Sequence, residues 1–407
     1  MPIDGTDCSQ LINDAISNVV ANGGGTVIIP WRNTGGNMCV YRVDTQANTD
    51  GSAYWGILLQ SNVRLQFKPG VKLQALPNDS SKLWERSYIV YGKQVHDVEI
   101  CNGWFVGERY THIYSTRKTK TDEWWHGMQL LGVSAMTIRG TQISDCTGDG
   151  ICVGNIGGVG TSDLVLCDVV STGNRRQALS ITQGDNISVY DSEFSYTSGT
   201  APMDGIDIEP QGSAHVNNLT IDNCIIKGNA GDGIQINARG TNVTNVNITN
   251  CLISYNYYGG FVAQSGKVNN IAGIIDTGTV YGNAFYQNGY YGLSLSGSTA
   301  NYIVGGKHSY SEYSNSFADN DNLYTDIEYP NTKEANTQGY VSGTDMNLSS
   351  TAQTVNTIGW NSYFTPADPL SSESHGCHES PFHWPDHDDH GNDNHGHEDH
   401  SPHGGGH

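Results

Sequence analysis

Charge is scarce in this chain: Asp, Glu, Lys and Arg make up only 15% of its 407 residues. Basic side chains are the scarcest, 20 against 41 acids, for a net charge of −21. Such a balance repels nucleic-acid phosphates and anionic membranes, so neither is an expected partner, and a polyanionic substrate would need local Arg or a bound cation. Long apolar runs are missing too. Nothing approaches the roughly 18 residues of a membrane span, which argues against membrane insertion. A secretory leader is also lacking: Met1-Pro2-Ile3-Asp4 leads directly into structure. Either the numbering is that of a mature form or the chain leaves the cell by another route, such as within a virion. The expected location is extracellular or virion-borne. Cysteines number nine, an odd count without CxxC pairs, which gives no disulfide framework. Cys224 and Cys251 follow the matched Asn223 and Asn250 and read as small core residues in one column.

Glycine, by contrast, is abundant at 50 residues, which suits short strands joined by tight turns. The chain is organised around Asp204-Gly205-Ile206-Asp207-Ile208-Glu209, whose pattern returns along the sequence. Gly127-Met128-Gln129-Leu130, Gly150-Ile151-Cys152-Val153, Ala178-Leu179-Ser180-Ile181, Gly233-Ile234-Gln235-Ile236, Gly260-Phe261-Val262-Ala263 and Gly292-Leu293-Ser294-Leu295 repeat it. By subtraction the leading residues lie 23, 28, 27, 28, 27 and 32 positions apart. Period-two alternation within each unit reads as a strand with one buried face, and recurrence at this interval reads as a solenoid. Each unit is then one coil of a parallel β-helix, an all-β fold. Ile151, Leu179, Ile206, Ile234, Phe261 and Leu293 are predicted to stack in one interior ladder, and Val153, Ile181, Ile208, Ile236 and Leu295 in another, with coils roughly 4.8 Å apart. Cys152, Ser180, Asp207, Gln235, Val262 and Ser294 look outward, flanked by Thr182, Glu209, Asn237 and Gln264.

The organisation divides into four stretches. Residues 1–30 hold an N-terminal capping helix and a first strand. Asp7-Cys8-Ser9-Gln10 resembles a capping box and opens a helix over residues 8 to 21, with Leu11, Ile12, Ala15, Ile16, Val19 and Val20 at helical spacing; Asn22-Gly23-Gly24-Gly25 stops it. Residues 31–330 form the β-helix. Within them a second strand set, Leu164-Val165-Leu166, Ile187-Ser188-Val189, Leu219-Thr220-Ile221 and Val246-Asn247-Ile248, is followed each time by Asp168, Asp191, Asn223 or Asn250, an Asx column at a solenoid corner. Residues 331–366 are a polar C-terminal cap or wrap. Residues 367–407 are a His- and Asp-rich tail.

The amphipathic helix, Gly23-Gly24-Gly25-Thr26-Val27, Asn62-Val63-Arg64-Leu65 and the coil repeats together resemble the pectate-lyase-like right-handed parallel β-helix superfamily over roughly residues 7 to 330. That resemblance implies the fold, and a function among polysaccharide lyases, glycoside hydrolases, alginate epimerases and phage tailspike depolymerases. The epimerases carry Asp-Pro-His-Glu on an equivalent outward strand. Here Asp207-Ile208-Glu209-Pro210 stands instead, with Asp207 matching the Asp and Glu209 in place of the His, which argues against epimerisation. The pectate lyase calcium set and the polygalacturonase motifs are absent.

Only one coil places two carboxylates on the outward face. Asp207 and Glu209 share that face with Cβ atoms roughly 6.5–7 Å apart, within the range of glycosidase acid pairs. They are the candidate acid and base, and Asp204 is the third candidate. Asp149, Asp204 and Asp232 precede Gly in three coils, which is also ordinary turn chemistry. Arg175, Arg176, Gln177, Gln235, Asn237 and His126 surround the same face as candidate substrate ligands. The polar excursion between Gly107 and Trp125 adds Trp124 and Trp125, which either stack on sugar rings or cover the loop base. Three classes follow: a glycan-cleaving enzyme, with hydrolysis suiting two acids better than elimination; a non-catalytic glycan-binding spike; and a structural rod.

The tail carries His375, His378, His383, His387, His390, His395, His397 and His400 among interleaved acids. Such a tract reads as a site for a divalent transition metal, Zn, Ni or Cu. A homotrimer would bring three copies of each ligand together and complete a coordination sphere.

Overall fold

The computed structural model describes residues 1 to 264 except 2–3, 33–34, 36–37, 83–85, 116–121 and 239–240; beyond these it describes the strands Lys267–Ala272, Ala284–Tyr286, Tyr291–Leu295, Thr325–Tyr329 and Met346–Leu348. The C-terminal stretches expected to wrap and to bind metal, including the eight tail histidines named above, otherwise lie outside the described residues.

Two long sheets run the length of the solenoid, and their strands pair in parallel from coil to coil, with a short antiparallel start at Asn48–Thr49. The front sheet holds the predicted repeat. Ile151 pairs with Leu179, Leu179 with Ile206, Ile206 with Ile234, Ile234 with Phe261 and Phe261 with Leu293. Ile151, Leu179, Ile206, Ile234 and Phe261 are fully buried. The ladder also begins earlier than the repeat suggested, since Ile57 pairs with Val90 and Val90 with Met128. Those coils escaped the period because Arg86–Lys93 is buried on both faces and shows no alternation.

The leading glycine of each coil has a steric reason. A Cβ at Gly127, Gly205 or Gly233 would lie 2.6, 2.6 or 2.5 Å from the carbonyl oxygen of Gly150, Gly233 or Gly260, one coil on. Ala178 stands at this place in one coil. The back sheet keeps its register as well, Leu164 pairing with Ile187, Leu219 and Val246 in turn. At its corner Asn102, Gly140, Asp168, Asp191, Asn223 and Asn250 share φ between 50 and 59°, the left-handed region that Asn, Asp and Gly enter most easily. Asn223 donates to Asp191 at 2.6 Å, whereas Asn250 reaches Asp222 instead, at 2.7 Å. Cys224 and Cys251 lie buried beneath this corner.

The N-terminal helix spans Ser9–Ala21 and covers the open end, burying Ile12 and Ile16. Two details differ from expectation. Leu11 is exposed, and no capping box forms. Cys8 occupies the cap position, and the Asp7 carboxylate accepts from Ser9 N–H at 2.9 Å, Ser9 Oγ at 2.6 Å and Asp44 N–H at 2.8 Å. Asp7 therefore ties the helix start to the first coil, a long-range role that local spacing does not reveal.

Candidate functional site

Two columns on the outer face of the front sheet build the site. One consists of the residues that precede each leading glycine: His126, Asp149, Gln177, Asp204 and Asp232. The other runs Gln129, Cys152, Ser180, Asp207 and Gln235, in register. The alternation placed this face outward, and it does point away from the core. It is nevertheless covered: Asp204 is 1% exposed, Asp207 2% and Gln177 0%. The expectation that Asp207 faces solvent is therefore corrected. Side chains and turns from neighbouring coils close over the strand, which period two does not report.

The first column has a common duty. The backbone N–H of Asp149 donates to His126 Nδ1 at 2.9 Å, that of Gln177 to Asp149 Oδ1 at 3.3 Å, that of Asp232 to Asp204 Oδ1 at 2.7 Å, and that of Gly259 to Asp232 Oδ1 at 2.6 Å. His126, Asp149, Asp204 and Asp232 thus each accept an amide of the coil that follows, while Gln177 Oε1 accepts from Arg176 and Ser180 instead. Turn chemistry accounts for Asp149 and Asp232 on this ground. Since His126 Nδ1 is an acceptor, its proton sits on Nε2, and the ring stacks flat on Tyr88 at 5.7 Å. Burial lowers the His126 pKa to about 4.

That shift has a testable sign. A histidine kept neutral in the fold takes up a proton on unfolding once pH drops below its ordinary 6.5. Its stabilising share is intact above 6.5 and is lost progressively as pH falls toward 4, by about 3 kcal/mol in all. Chemical denaturation of His126→Gln, which keeps an acceptor like that of Gln177, is expected to lose this segment of the pH profile.

Around Asp149 the network is dense. Arg176 Nη1 donates to both of its oxygens at 3.2 Å, Ser180 Oγ donates to Oδ2 at 2.9 Å, and Arg176 Nε lies 3.7 Å from Glu123. Arg176 also donates to Gln177 Oε1, and Gln177 Nε2 in turn donates to Asp207 Oδ2. A relay therefore runs from Arg176 through Gln177 to Asp207. Burial works against the Arg176 cation, but Asp149 and Asp207 outweigh it and raise its pKa. Asp204 follows in the next coil. Its Oδ2 is buried without a hydrogen-bond partner, and burial, reinforced by the charges of Asp207 and Asp232, raises its pKa well above the usual carboxylate range.

A family model for the right handed beta helix region matches residues 109–275. The chain is a right-handed parallel β-helix protein. It is 31% identical over 278 residues to the uncharacterized protein YclG of Bacillus subtilis (strain 168), covering 63% of this chain and 44% of that one. It is 27% identical over 255 residues to the SPbeta prophage-derived uncharacterized protein YorA of the same organism, covering 58% and 43%. The chain thus spans under half the length of both. ORF18 of Geobacillus virus E2 superposes with a TM-score of 0.52 at 13% identity, over 80% of this chain and 59% of that one.

The remaining predicted residues of the β-helix are placed as follows. Glu209 lies just past the strand Ile206–Ile208, half-buried, with Gln211 Nε2 at 3.4 Å. Gln235 donates to Asp232 at 3.0 Å, and Asn237 pairs in register with Gln264. The Arg175 guanidinium lies 4.6 Å from the Tyr114 ring and donates to Thr147 O at 3.4 Å. Trp124 and Trp125 open the strand Trp124–Leu131 rather than ending the excursion. Trp125 is buried against His112 at 4.7 Å and closes the loop base, while Trp124 is exposed with Arg86 over its ring at 5.0 Å.

Sequence reasoning passed over Ser180 as a ligand, Glu123, and the His126–Asp149–Cys152 group, whose ligand atoms lie within 4.8 Å of one another. Their shared columns were the available signal. Asp149 in that group is already saturated by Arg176, Ser180 and Gln177, and burial together with Asp149 pushes the Cys152 thiol up to about 12, so the set is better suited to its present bonds than to an ion.

Proposed function

We propose that this β-helix acts on a polysaccharide outside the cell or on a virion, and hydrolyses it at Asp204 and Asp207. One observation carries the reading: two neighbouring acids on one coil sit in unequal environments. Asp204 has a buried Oδ2 without a hydrogen-bond partner, and burial with the charges of Asp207 and Asp232 raises its pKa well above the usual carboxylate range, which favours its protonated form. Asp207 takes the Gln177 amide on Oδ2 and lies in the field of Arg176. Such a pair divides into a general acid and a charged partner. Asp204 would protonate the glycosidic oxygen as the C–O bond breaks, and Asp207 would serve the opposite face of the ring as nucleophile or base. Glu209, half-buried at the end of the strand with its N–H bonded to Ile181 O at 3.0 Å, is left outside this pair. The prophage-derived name of one relative supports the virion location.

A second reading, a non-catalytic glycan-binding spike, is favoured by the near-complete burial of both acids. Incubation with a panel of capsular and matrix polysaccharides separates the two. Release of new reducing ends, lost in Asp207→Asn, is the expected result. Products that absorb as unsaturated uronates would replace hydrolysis with elimination. Retention of polymer with no cleavage would establish the spike.

A further inference from the structure

The register of the two sheets fixes how many residues cross from the back sheet to the front sheet in each coil. By subtraction between paired positions, 14 residues separate Arg42 from Ile57, 15 separate Gln74 from Val90 and 21 separate Val106 from Met128. Six then suffice, between Ser144 and Ile151, Thr172 and Leu179, Lys227 and Ile234, Ser254 and Phe261, and Tyr286 and Leu293. One of these later coils departs, with ten residues between Ser195 and Ile206. It is the coil of Asp204 and Asp207. Its neighbours turn the same corner without the four extra residues, so closure of the solenoid does not demand them. Insertions into a repeat fall on one face, often the face that binds.

The added turn, residues 197–203, is fixed on both sides. Ser198 N–H donates to Asn174 O at 3.1 Å and Thr200 N–H to Arg175 O at 2.9 Å, which ties it to the coil before. Gly231 N–H, from the coil after, donates to Met203 O at 2.9 Å. A Cβ at Gly231 would collide with Pro202 O and with Asp204 Oδ1, so that coil leaves a side chain out where the turn comes down beside the acid. Arg109 reaches the same turn from the 21-residue connection. Its Nη2 donates to Ser198 O at 2.5 Å and to Ser198 Oγ at 3.0 Å, and its Nη1 to Gly173 O at 2.5 Å. Its backbone N–H donates to Asp145 O at 3.1 Å, so one residue bonds to three successive coils. The guanidinium thus spans the two short corners, residues 145–148 and 173–176, and joins the long connection on one side to the inserted turn on the other. A planar fork of donors suits such a bridge better than a single ammonium would.

We propose that Arg109 is a positioning residue that holds residues 197–203 as a wall at the acid column, and that this wall determines which polysaccharides reach Asp204 and Asp207. The proposal rests on the reading of this protein as one that acts on a polysaccharide, and it applies whether the polymer is cleaved or only held. Both acids are nearly wholly buried, Asp204 at 1% exposure and Asp207 at 2%, so the groups at the edge of the column decide what comes near them. Gly199 and Ala201 put the crest of the turn in solvent, while its last residues lie against Gly231 beside Asp204. A purely mechanical Arg109, stapling the long connection to the solenoid, would affect stability and nothing else.

Two variants of the full chain test it. In one, residues 197–203 are replaced by Asn-Ala-Gly, the sequence at 229–231, which restores a six-residue crossing that the next coil already uses. The other is Arg109→Leu, which carries the test alone if the shortened chain does not fold. The first readout needs no polymer: coupling of glycine ethyl ester by a water-soluble carbodiimide, followed by peptide mass spectrometry well below Tm. Asp204 should resist coupling in the native protein and react about tenfold faster or more in both variants, as the edge of the column opens. The second readout is retention and cleavage of alginate, polygalacturonate, hyaluronate, xylan and dextran. The order of preference among them should change, with KM or Kd for the polymer favoured by the native protein raised about tenfold. Unchanged labelling of Asp204, or a lower Tm with an unchanged order of polymers, overturns the wall and leaves the polysaccharide reading in place. A native protein that neither holds nor cleaves any polymer overturns that reading, and the selectivity with it.

Discussion

Asp204→Asn is expected to lower polysaccharide hydrolysis by roughly 10²–10⁴-fold, the range of a lost general acid, while making the protein more stable at neutral pH. The two effects have one cause. Burial and the charges of Asp207 and Asp232 hold the Asp204 pKa well above its ordinary 3.8. The folded protein then binds a proton that the unfolded chain releases, so stability falls as pH rises above about 3.8 and continues to fall until the folded pKa is passed. Asn keeps the Oδ1 acceptor for Asp232 N–H and offers an amide donor where the acid held its proton, and it does not titrate. The variant's denaturation midpoint should therefore lose the downward slope on the alkaline side of 3.8. Reducing-end assays on the polymer that wild type cleaves give the other half of the result. Wild-type activity in the variant, or an unchanged pH slope, would remove Asp204 from the role of acid.

The second large effect belongs to the core. Ile206→Ala is expected to destabilise the protein by about 2–5 kcal/mol, as for other large-to-small changes at full burial. Ile206 is fully buried between Leu179 and Ile234 in the front ladder. The coils on either side cannot close over the void, because Ile206 N–H is bonded to Gly233 O at 2.9 Å and Leu179 N–H to Gly205 O at 3.0 Å. The strand spacing is thereby set by the backbone, and the lost methyl groups leave a cavity. Denaturant titration of the full chain measures it; a loss under about 1 kcal/mol would mean that the column relaxes inward after all.

The coil register is legible in the chain itself because it is a periodic property. Alternation marks which side chains point inward, the repeat marks which of them stack, and Ile206, Leu179 and Ile234 fall into one column on those grounds alone. The corner at Asp168, Asp191, Asn223 and Asn250 is legible for a similar reason: left-handed backbone selects few residue types, so its demand shows in the chain. Coils without a visible period, such as Arg86–Lys93, escape such a reading since both faces are buried there.

The site is legible only as a place. The repeat singles out the coil that carries Asp204, Asp207 and Glu209, but pairing by spacing along the strand joins Asp207 to Glu209. The fold instead sets Asp207 in the electrostatic field of Asp204 and ties it to Gln177 from the preceding coil. Neighbours of this kind are some 27 to 30 residues apart in the chain, and a solenoid brings them within bonding distance only by stacking. Covering is likewise a tertiary matter. A period of two states that Asp207 turns away from the core, and nothing in it records that Arg176 and Gln177 will lie over that face. What an isolated strand dictates is direction; whether a residue pointing that way meets water or another side chain depends on the coils above and below it.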